Sequence, residues 1–129
     1  MIASDFRDLR VWQKSMDLAV ACSLLARRLP PHERYASASQ LRRCAASNPM
    51  NIAEGNFRLH PRDYLRHLSI ARGSLGETIT LLELIRRLPY VAPDELEPLQ
   101  ELADHVGRML TKLTTALRSK LAASPQTLV

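Results

Sequence analysis

Residues 99–117 read LQELADHVGRMLTKLTTAL, and this stretch decides the fold class. Its apolar residues recur at alternating spacings of four and three, the pattern of a helix that packs along the seam of a bundle. They are Leu99, Ala103, Val106, Leu110, Leu113 and Leu117. The opposite face is charged, and we predict that it is exposed to solvent. Its members are Glu97, Glu101, Asp104, Arg108 and Lys112.

Three short breaks divide the chain into four helical segments. Proline and glycine mark the breaks, which lie at residues 30–31, 55–61 and 89–93. The predicted helices cover about residues 5–29, 33–54, 61–88 and 94–121. Because short connections make consecutive helices antiparallel, we predict an all-α, antiparallel up-down-up-down four-helix bundle. We expect residues 1–121 to form this bundle as a single domain and residues 122–129, which lack apolar periodicity, to form a frayed tail.

The composition is typical of one folded domain. The 129 residues are 46% hydrophobic and 24% charged, which suits a domain of common size. The N-terminus has no basic segment followed by an apolar run, and no apolar stretch approaches the roughly 18 residues that a membrane span requires. We therefore expect a cytoplasmic protein without membrane contact. Cys22 and Cys44 lie within helical apolar patterns, which predicts buried free thiols.

The first helical segment carries two apolar stripes, whereas a helix in a monomeric bundle normally has one. One stripe contains Val11, Leu18, Cys22, Leu25 and Leu29, and the other contains Leu9, Trp12, Met16, Ala19 and Val20. Because a single bundle buries one face, the extra stripe predicts a homo-oligomer. We place Leu9, Trp12 and Met16 at the interface between subunits. The alternative is a helix that its own bundle covers on both sides.

The second segment contains Pro49, which either kinks a continuous helix or begins a new one after Asn48. In a continuous helix, one polar face is formed by Gln40, Arg43, Ser47, Asn51 and Glu54. We predict that they join Glu77 of the third segment in a buried network of ion pairs that sets the register of the bundle. The predicted members of this structural polar network are Arg42, Arg43, Asn51, Glu54 and Glu77. A functional pocket is the alternative interpretation.

Small residues form a line along the third segment. They are Ser69, Gly73, Gly76 and Thr80. Glycine inside a helix costs roughly 1 kcal/mol relative to alanine, so two glycines on one face require a compensating reason. We predict that a neighbouring helix crosses unusually close to this line.

A basic cluster surrounds the turn into the third segment. Arg58, Arg62, Arg66 and Arg72 lie here with Asp63 as the only acid, and the chain carries a net charge of +5. Guanidinium groups suit planar contacts with phosphates. We therefore predict that these four arginines bind RNA or DNA weakly on one subunit and more strongly when several subunits act together. The alternative is an arginine-rich solvated surface.

The sequence has no arrangement of residues typical of an enzyme or a metal site. The segment from Gly73 to Gly76 departs from a nucleophile elbow, because its second glycine comes one residue late and no strand precedes it. The E-x-x-H turns of di-iron bundles and the glycine-rich phosphate loop are both absent from the sequence. We expect a non-enzymatic protein without cofactor or metal.

Several motifs, in order, resemble the bacterial four-helix-bundle proteins encoded in intervening sequences of 23S ribosomal RNA genes. The motifs are Phe6-Arg7-Asp8-Leu9, Val11-Trp12-Gln13-Lys14, Glu33-Arg34-Tyr35, Gln40-Leu41-Arg42-Arg43, Asn51-Ile52-Ala53-Glu54-Gly55 and Ala71-Arg72-Gly73-Ser74-Leu75-Gly76-Glu77. Together they cover most of the chain to about Leu88. The chain also resembles the accessory variability determinants of diversity-generating retroelements. It departs from the family pattern at Asn48, which is usually apolar, and at Ser37, which is usually leucine.

This resemblance implies a bundle whose second helix continues through Pro49 with a kink, and it implies a homopentameric ring. In the retroelement relatives such rings are basic, bind nucleic acid and associate with a reverse transcriptase, although no such partner follows for this chain. The leading hypothesis is thus a non-enzymatic homo-oligomer that binds RNA or DNA. The alternative is a structural or protein-interaction scaffold without a nucleic-acid role.

Overall fold

Four α-helices make up the fold, and the computed structural model describes residues 5–123, which contain no strand. The helices are α1 (Arg10–Ala26), α2 (Ser37–Phe57), α3 (Pro61–Arg87) and α4 (Pro93–Ala122). Each helix packs against the next along the chain, and α4 packs against α1. The helices therefore stand around the bundle in chain order, which confirms the predicted all-α four-helix bundle.

The first helix begins later than predicted. Asp5 starts a short 3-10 turn (Phe6–Asp8), because its Oδ1 accepts a hydrogen bond of 2.9 Å from the backbone N–H of Arg7. Leu9 then adopts an extended conformation, with φ −76° and ψ 123°, so α1 starts only at Arg10. The side-chain cap of Asp5 therefore stabilises a separate turn in place of the first helical turn.

A second 3-10 turn separates α1 from α2. It spans Pro31–Glu33, and α2 begins at Ser37 rather than at Glu33. Proline disfavours helical conformation in the residue before it, which accounts for the end of α1 before Pro30. Glu33 contributes to the new start, because its Oε1 accepts a hydrogen bond of 3.3 Å from the N–H of Ser37. The connection therefore contains more ordered turn and less helix than the sequence predicted.

The second helix runs through Pro49 without interruption. This confirms the continuous helix and excludes a new helix that begins at the proline. Asn48 and Pro49 are both buried. Asn48 bonds to the neighbouring helix, since its Nδ2 donates a hydrogen bond of 2.9 Å to the backbone oxygen of Ala71 in α3. Asn48 thus uses its amide to join α2 to α3.

The seam predicted for α4 faces the core. Ala103, Val106, Leu110 and Leu117 are buried, whereas Leu99 and Leu113 are partly buried and pack against the core. Thr114 is also buried, one residue beyond the expected apolar position. All five charged residues predicted on the opposite face are exposed. Helical periodicity therefore gave the correct inner face, to within one residue.

The close helix crossing predicted at Gly73 and Gly76 is wrong for the single chain. Within residues 5–123, a Cβ atom placed on either glycine would meet no atom of another helix within 4 Å, because both glycines are exposed. The close approach occurs instead at Gly55 near the end of α2. A Cβ there would lie 2.9 Å from the Cβ of His67 and 2.9 Å from Cδ1 of Tyr64. Gly55 is therefore the residue that lets α2 and α3 approach.

The described helices include none with the length and apolar character needed to cross a membrane. At the C-terminus, α4 extends to Ala122, one residue into the predicted tail, and Ala123 forms a turn. The remainder of that predicted tail, residues 124–129, lies outside the described residues.

Candidate functional site

The four predicted nucleic-acid-binding arginines do not form one cluster. Arg58 follows the end of α2, and its Nη2 donates a hydrogen bond of 2.8 Å to Oε2 of Glu54 one turn earlier. Arg62 and Arg66 lie one turn apart on the exposed face of α3 and make no salt bridge within residues 5–123. Arg62 and Arg66 are thus two neighbouring members of the set whose guanidinium groups are available to a ligand.

Arg72 lies on a different side of α3. At about 100° per residue, six residues place it about 120° around the helix from Arg66. It borders a groove between α3 and α4 of about 480 Å³, together with Asp104 and Arg108. An acid and a base therefore accompany Arg72, and the predicted surface divides into a pair at the start of α3 and a separate arginine further along.

A polar chain links α2 to α3 beside this surface. The Nδ2 of Asn51 donates hydrogen bonds to the backbone oxygen of Ser47 at 2.9 Å and to its Oγ at 3.0 Å. Its Oδ1 therefore accepts a hydrogen bond of 3.2 Å from Nδ1–H of His67. His67 is buried, and its Nε2 lies 3.5 Å from Oε2 of Glu54. The imidazole ring is thus hydrogen-bonded to the amide of Asn51, whereas its Nε2 only approaches the carboxylate of Glu54 and makes no hydrogen bond within residues 5–123.

The carboxylate of Glu54 is influenced by several positive groups. Its pKa is lowered, and the largest cause is the hydrogen bond from Arg58. Partial burial opposes the shift, while the charges of His67, Arg58 and Arg66 support it. Glu54 therefore stays ionised at neutral pH and partly neutralises the basic surface at the start of α3.

The buried ion-pair network predicted from Arg42, Arg43, Asn51, Glu54 and Glu77 is wrong. Arg43, Glu54 and Glu77 are exposed, and only Asn51 and Glu54 meet, through His67. Arg43 and Glu54 are eleven positions apart in sequence, which separates them by about 16 Å along α2, too far for one cluster. Burial of these charges would also require closely matched partners.

Arg43 and Glu77 instead border a shallow groove between α2 and α3. The groove has a volume of about 380 Å³ and also contacts Gln40, Ser47 and Ser74. Arg43 donates a hydrogen bond of 3.4 Å from Nη2 to Oγ of Ser39. The Oγ of Ser74 donates to the backbone oxygen of Ala71 at 2.9 Å, so its proton is engaged within the helix. The groove therefore has polar walls, and the hydroxyl group of Ser74 in it is not activated as a nucleophile.

The two apolar stripes of α1 have different environments. Val11, Leu18, Cys22, Leu25 and Leu29 are buried in the core. Leu9 and Trp12 are partly buried, and the ring of Trp12 meets Phe6 edge-on at 5.1 Å between centroids. Farther along, the exposed apolar residues are Met16 (38%), Val20 (55%) and Leu24 (53%). We call these three residues the α1 ridge, which includes Leu24, a residue absent from the predicted interface.

The two cysteines are buried free thiols, as predicted. Burial raises the pKa of Cys22 to about 12. Burial is also the largest cause of the raised pKa of Cys44, whose Sγ accepts a hydrogen bond of 3.2 Å from Oγ1 of Thr78. Both thiols are therefore protonated at neutral pH and unsuited to nucleophilic chemistry. Within residues 5–123, no three side chains of the metal-binding types come together.

Sequence reasoning missed a group of arginines at the opposite end of the bundle. Arg27, Arg34 and Arg42 line one pocket of about 320 Å³ where α1 ends and α2 begins. They come from a helix end, a loop and the second turn of α2, so no local pattern connects them. The pairing of Pro30 with Pro31, which also line the pocket, is the sequence signal for the sharp connection that brings them together.

Comparison with known proteins gives the family. A solved structure from Bacteroides thetaiotaomicron, described as a protein of unknown function from the S23 ribosomal protein family, has the same fold with a TM-score of 0.76. The two chains are 24% identical, and the match covers 81% of this chain and 95% of that one. Among curated proteins, no sequence matches. The family model of the 23S rRNA-intervening sequence protein matches residues 7–112. The chain therefore belongs to the 23S rRNA-intervening sequence protein family.

Proposed function

We propose that this protein is a cytoplasmic, non-enzymatic homo-oligomer, a pentamer by resemblance, that binds RNA or DNA through the start of α3. The observation that carries the proposal is the pair Arg62 and Arg66, which are exposed, one turn apart and without a salt bridge in residues 5–123. Two guanidinium groups at this spacing suit adjacent phosphates of a nucleic-acid backbone. Arg58 extends the surface, although Glu54 neutralises part of its charge.

The family supports a role with nucleic acid. The solved structure with the same fold is assigned to the S23 ribosomal protein family. The resemblance to the accessory variability determinants of retroelements supports the same proposal, because their basic rings bind nucleic acid. These arguments favour RNA or DNA as the partner over a purely structural role.

The α1 ridge supports the oligomer. Met16, Val20 and Leu24 follow one another at intervals of four residues, so they form a continuous apolar row opposite the buried stripe of α1. A second copy that covers this row removes apolar surface from water. An oligomer also brings several copies of the Arg62–Arg66 pair to one nucleic acid, which raises the avidity of a weak site.

Nucleic-acid binding is tested by fluorescence anisotropy with labelled single-stranded RNA and duplex DNA across a salt series that starts at about 50 mM. We expect binding to weaken as salt rises. The double variant R62Q/R66Q should bind less tightly and, on duplex DNA, reduce the salt slope by about 2, since each lost phosphate contact removes about one unit. The control R10Q/R118Q removes the same charge from exposed positions on α1 and α4. Absence of binding at the lowest salt would leave the scaffold alternative.

Oligomerisation is tested by sedimentation velocity at micromolar concentration. We expect an assembly of several subunits for the wild type and monomers for V20E/L24E, because two carboxylates on the α1 ridge prevent its burial. The control T115E/A116E adds the same charges at exposed positions of α4. A wild-type protein that sediments as a monomer contradicts the proposal.

A further inference from the structure

The pocket between the end of α1 and the start of α2 has an apolar floor and a basic rim. Ala26, Leu29, Pro30 and Ala38 contribute the floor. The rim consists of Arg27, Arg34 and Arg42, which we call the arginine trio. Among residues 5–123, no acidic side chain lines the pocket. Three positive charges therefore surround an apolar cavity of about 320 Å³ without a negative counterpart in its walls.

Neighbouring arginines at this end of the bundle are paired, whereas the trio is not. Arg28 forms a salt bridge with Glu95, and Nε of Arg87 lies 3.0 Å from Oε2 of Glu83. In the described part of the chain, the trio makes no salt bridge, and its one side-chain interaction is the contact of Arg34 with the ring of Tyr35. The acids that pair with basic residues nearby are thus already engaged elsewhere.

Glu33 is the acid nearest in sequence, and other groups occupy it. Its Oε2 accepts a hydrogen bond of 2.7 Å from the hydroxyl of Tyr90, and its Oε1 accepts from the N–H of Ser37. The hydrogen bond from Tyr90 is the largest cause of the lowered pKa of Glu33. Glu33 therefore links Tyr90 to the start of α2 through these two hydrogen bonds and does not line the pocket.

The start of α2 adds to the positive potential. The helix is 21 residues long, and its N-cap residue Ala36 has no side-chain acceptor, although Glu33 accepts from the N–H of Ser37 in the first turn. Ala38, in that first turn, lines the pocket. A helix N-terminus carries a partial positive charge, which acts in the same direction as the arginine trio and which the carboxylate of Glu33 partly offsets.

We propose that this pocket binds a phosphomonoester, with the arginine trio on the phosphate and the apolar floor against the organic part of the molecule. A phosphomonoester carries about two negative charges and three terminal oxygens, and each guanidinium offers a planar pair of donors. The proposal is independent of the nucleic-acid surface, because Arg62 and Arg66 lie at the other end of the bundle, where α2 ends and α3 begins. A free phosphorylated metabolite and the 5′-phosphate of a nucleic acid share this chemistry.

The test is isothermal titration calorimetry with adenosine 5′-monophosphate, and with adenosine as the matched ligand without phosphate. We expect a dissociation constant below about 1 mM for the monophosphate and no measurable binding of adenosine. R27Q and R42Q should each weaken binding at least tenfold, whereas R10Q, an exposed arginine on α1, should not. Equal affinity in the trio variants and the wild type overturns the proposal.

A second measurement requires no variant. In amide NMR spectra of the wild type, the monophosphate should shift the signals of Ala26 and Ala38 more than those of Arg62 and Arg66. Shifts confined to the start of α3 overturn the proposed pocket and leave the nucleic-acid surface intact.

Two oligonucleotides distinguish the source of the phosphate. A 5′-phosphorylated RNA tetranucleotide that binds more tightly than the monophosphate, and more tightly than its 5′-hydroxyl counterpart, supports the end of a nucleic acid. Tighter binding of the mononucleotide supports a free metabolite. If neither phosphate-bearing ligand binds better than its phosphate-free counterpart, the phosphomonoester site is wrong, whatever the outcome for R62Q/R66Q.

Discussion

The inner and outer faces of α3 differ in how closely other helices approach the glycines found there. On the inner face, α2 approaches so closely that a Cβ on Gly55 would lie 2.9 Å from two atoms of α3. On the outer face, Gly73 and Gly76 have no atom of another described helix within 4 Å of the same position. Glycine therefore has a packing role in one region and no packing role within the single chain in the other. The comparison shows that a glycine indicates a close contact only when its face is directed at another helix.

The largest difference between the two faces should come from apolar side chains. Leu68 is fully buried on the inner face of α3, and Leu68→Ala should reduce the free energy of unfolding by about 2–5 kcal/mol, because it removes buried surface and leaves a cavity. Ile70 is 44% exposed on the outer face, and Ile70→Ala should change the free energy of unfolding by less than about 0.5 kcal/mol. Urea denaturation measures both. Similar losses for the two variants would contradict the assignment of the faces.

Gly55→Ala should be the next most destabilising change. The added methyl group would also lie 3.3 Å from the backbone oxygen of Tyr64, so the two helices have to move apart. We expect a loss of about 1–3 kcal/mol in the free energy of unfolding, which exceeds the helix-propensity gain of alanine. Thermal denaturation followed by circular dichroism measures the effect. A variant as stable as the wild type would show that α2 and α3 do not approach at Gly55.

Alanine at Gly73 should have the opposite sign. Open space surrounds this position, so Gly73→Ala should raise the free energy of unfolding by about 0.5–1 kcal/mol through helix propensity alone. Gly76→Ala is the matched variant and should behave alike. Thermal denaturation followed by circular dichroism measures the stability of each variant, and sedimentation velocity measures its oligomeric state. If either substitution both lowers the free energy of unfolding and dissociates an oligomer, the outer face of α3 is a subunit contact rather than an open surface.

The smallest expected effect concerns acid stability. The pKa of Glu54 is lowered in the folded protein, so its contribution to stability is present above the ordinary glutamate pKa of about 4.3 and is lost as pH falls through the folded value. Glu54→Gln should remove this contribution at neutral pH and reduce the loss of stability toward low pH. Because the side chain is 52% exposed, the change should be small and weaker in high salt.

Stability curves between pH 3 and pH 7, compared with Glu101→Gln on the exposed face of α4, isolate the contribution of Glu54. Identical curves for the two variants would show that the contact with Arg58 and His67 does not affect folding.

Periodicity predicted much of the fold and less of the candidate site. Four helices, the core seam of α4 and two buried thiols follow from local spacing, and the structure confirms them. The expected network failed because Arg43 and Glu54 share a helix face but lie about 16 Å apart along it. Arg62 and Arg66 stand as predicted on an exposed face, whereas Arg72 lies beside Asp104 on another side of the helix. Residues that lie close in sequence can thus point to different sides of the same helix.

The sequence by itself determined where the helices lie and which of their faces are apolar, because both depend on interactions between residues a few positions apart. Only the tertiary structure decided which of the two apolar stripes of α1 enters the core, and which glycine carries the close contact. It also decided that Arg27, Arg34 and Arg42 share one pocket. The reason is physical: the rotation of each helix about its axis is set by packing against neighbours that are distant in sequence, and no local pattern records that rotation.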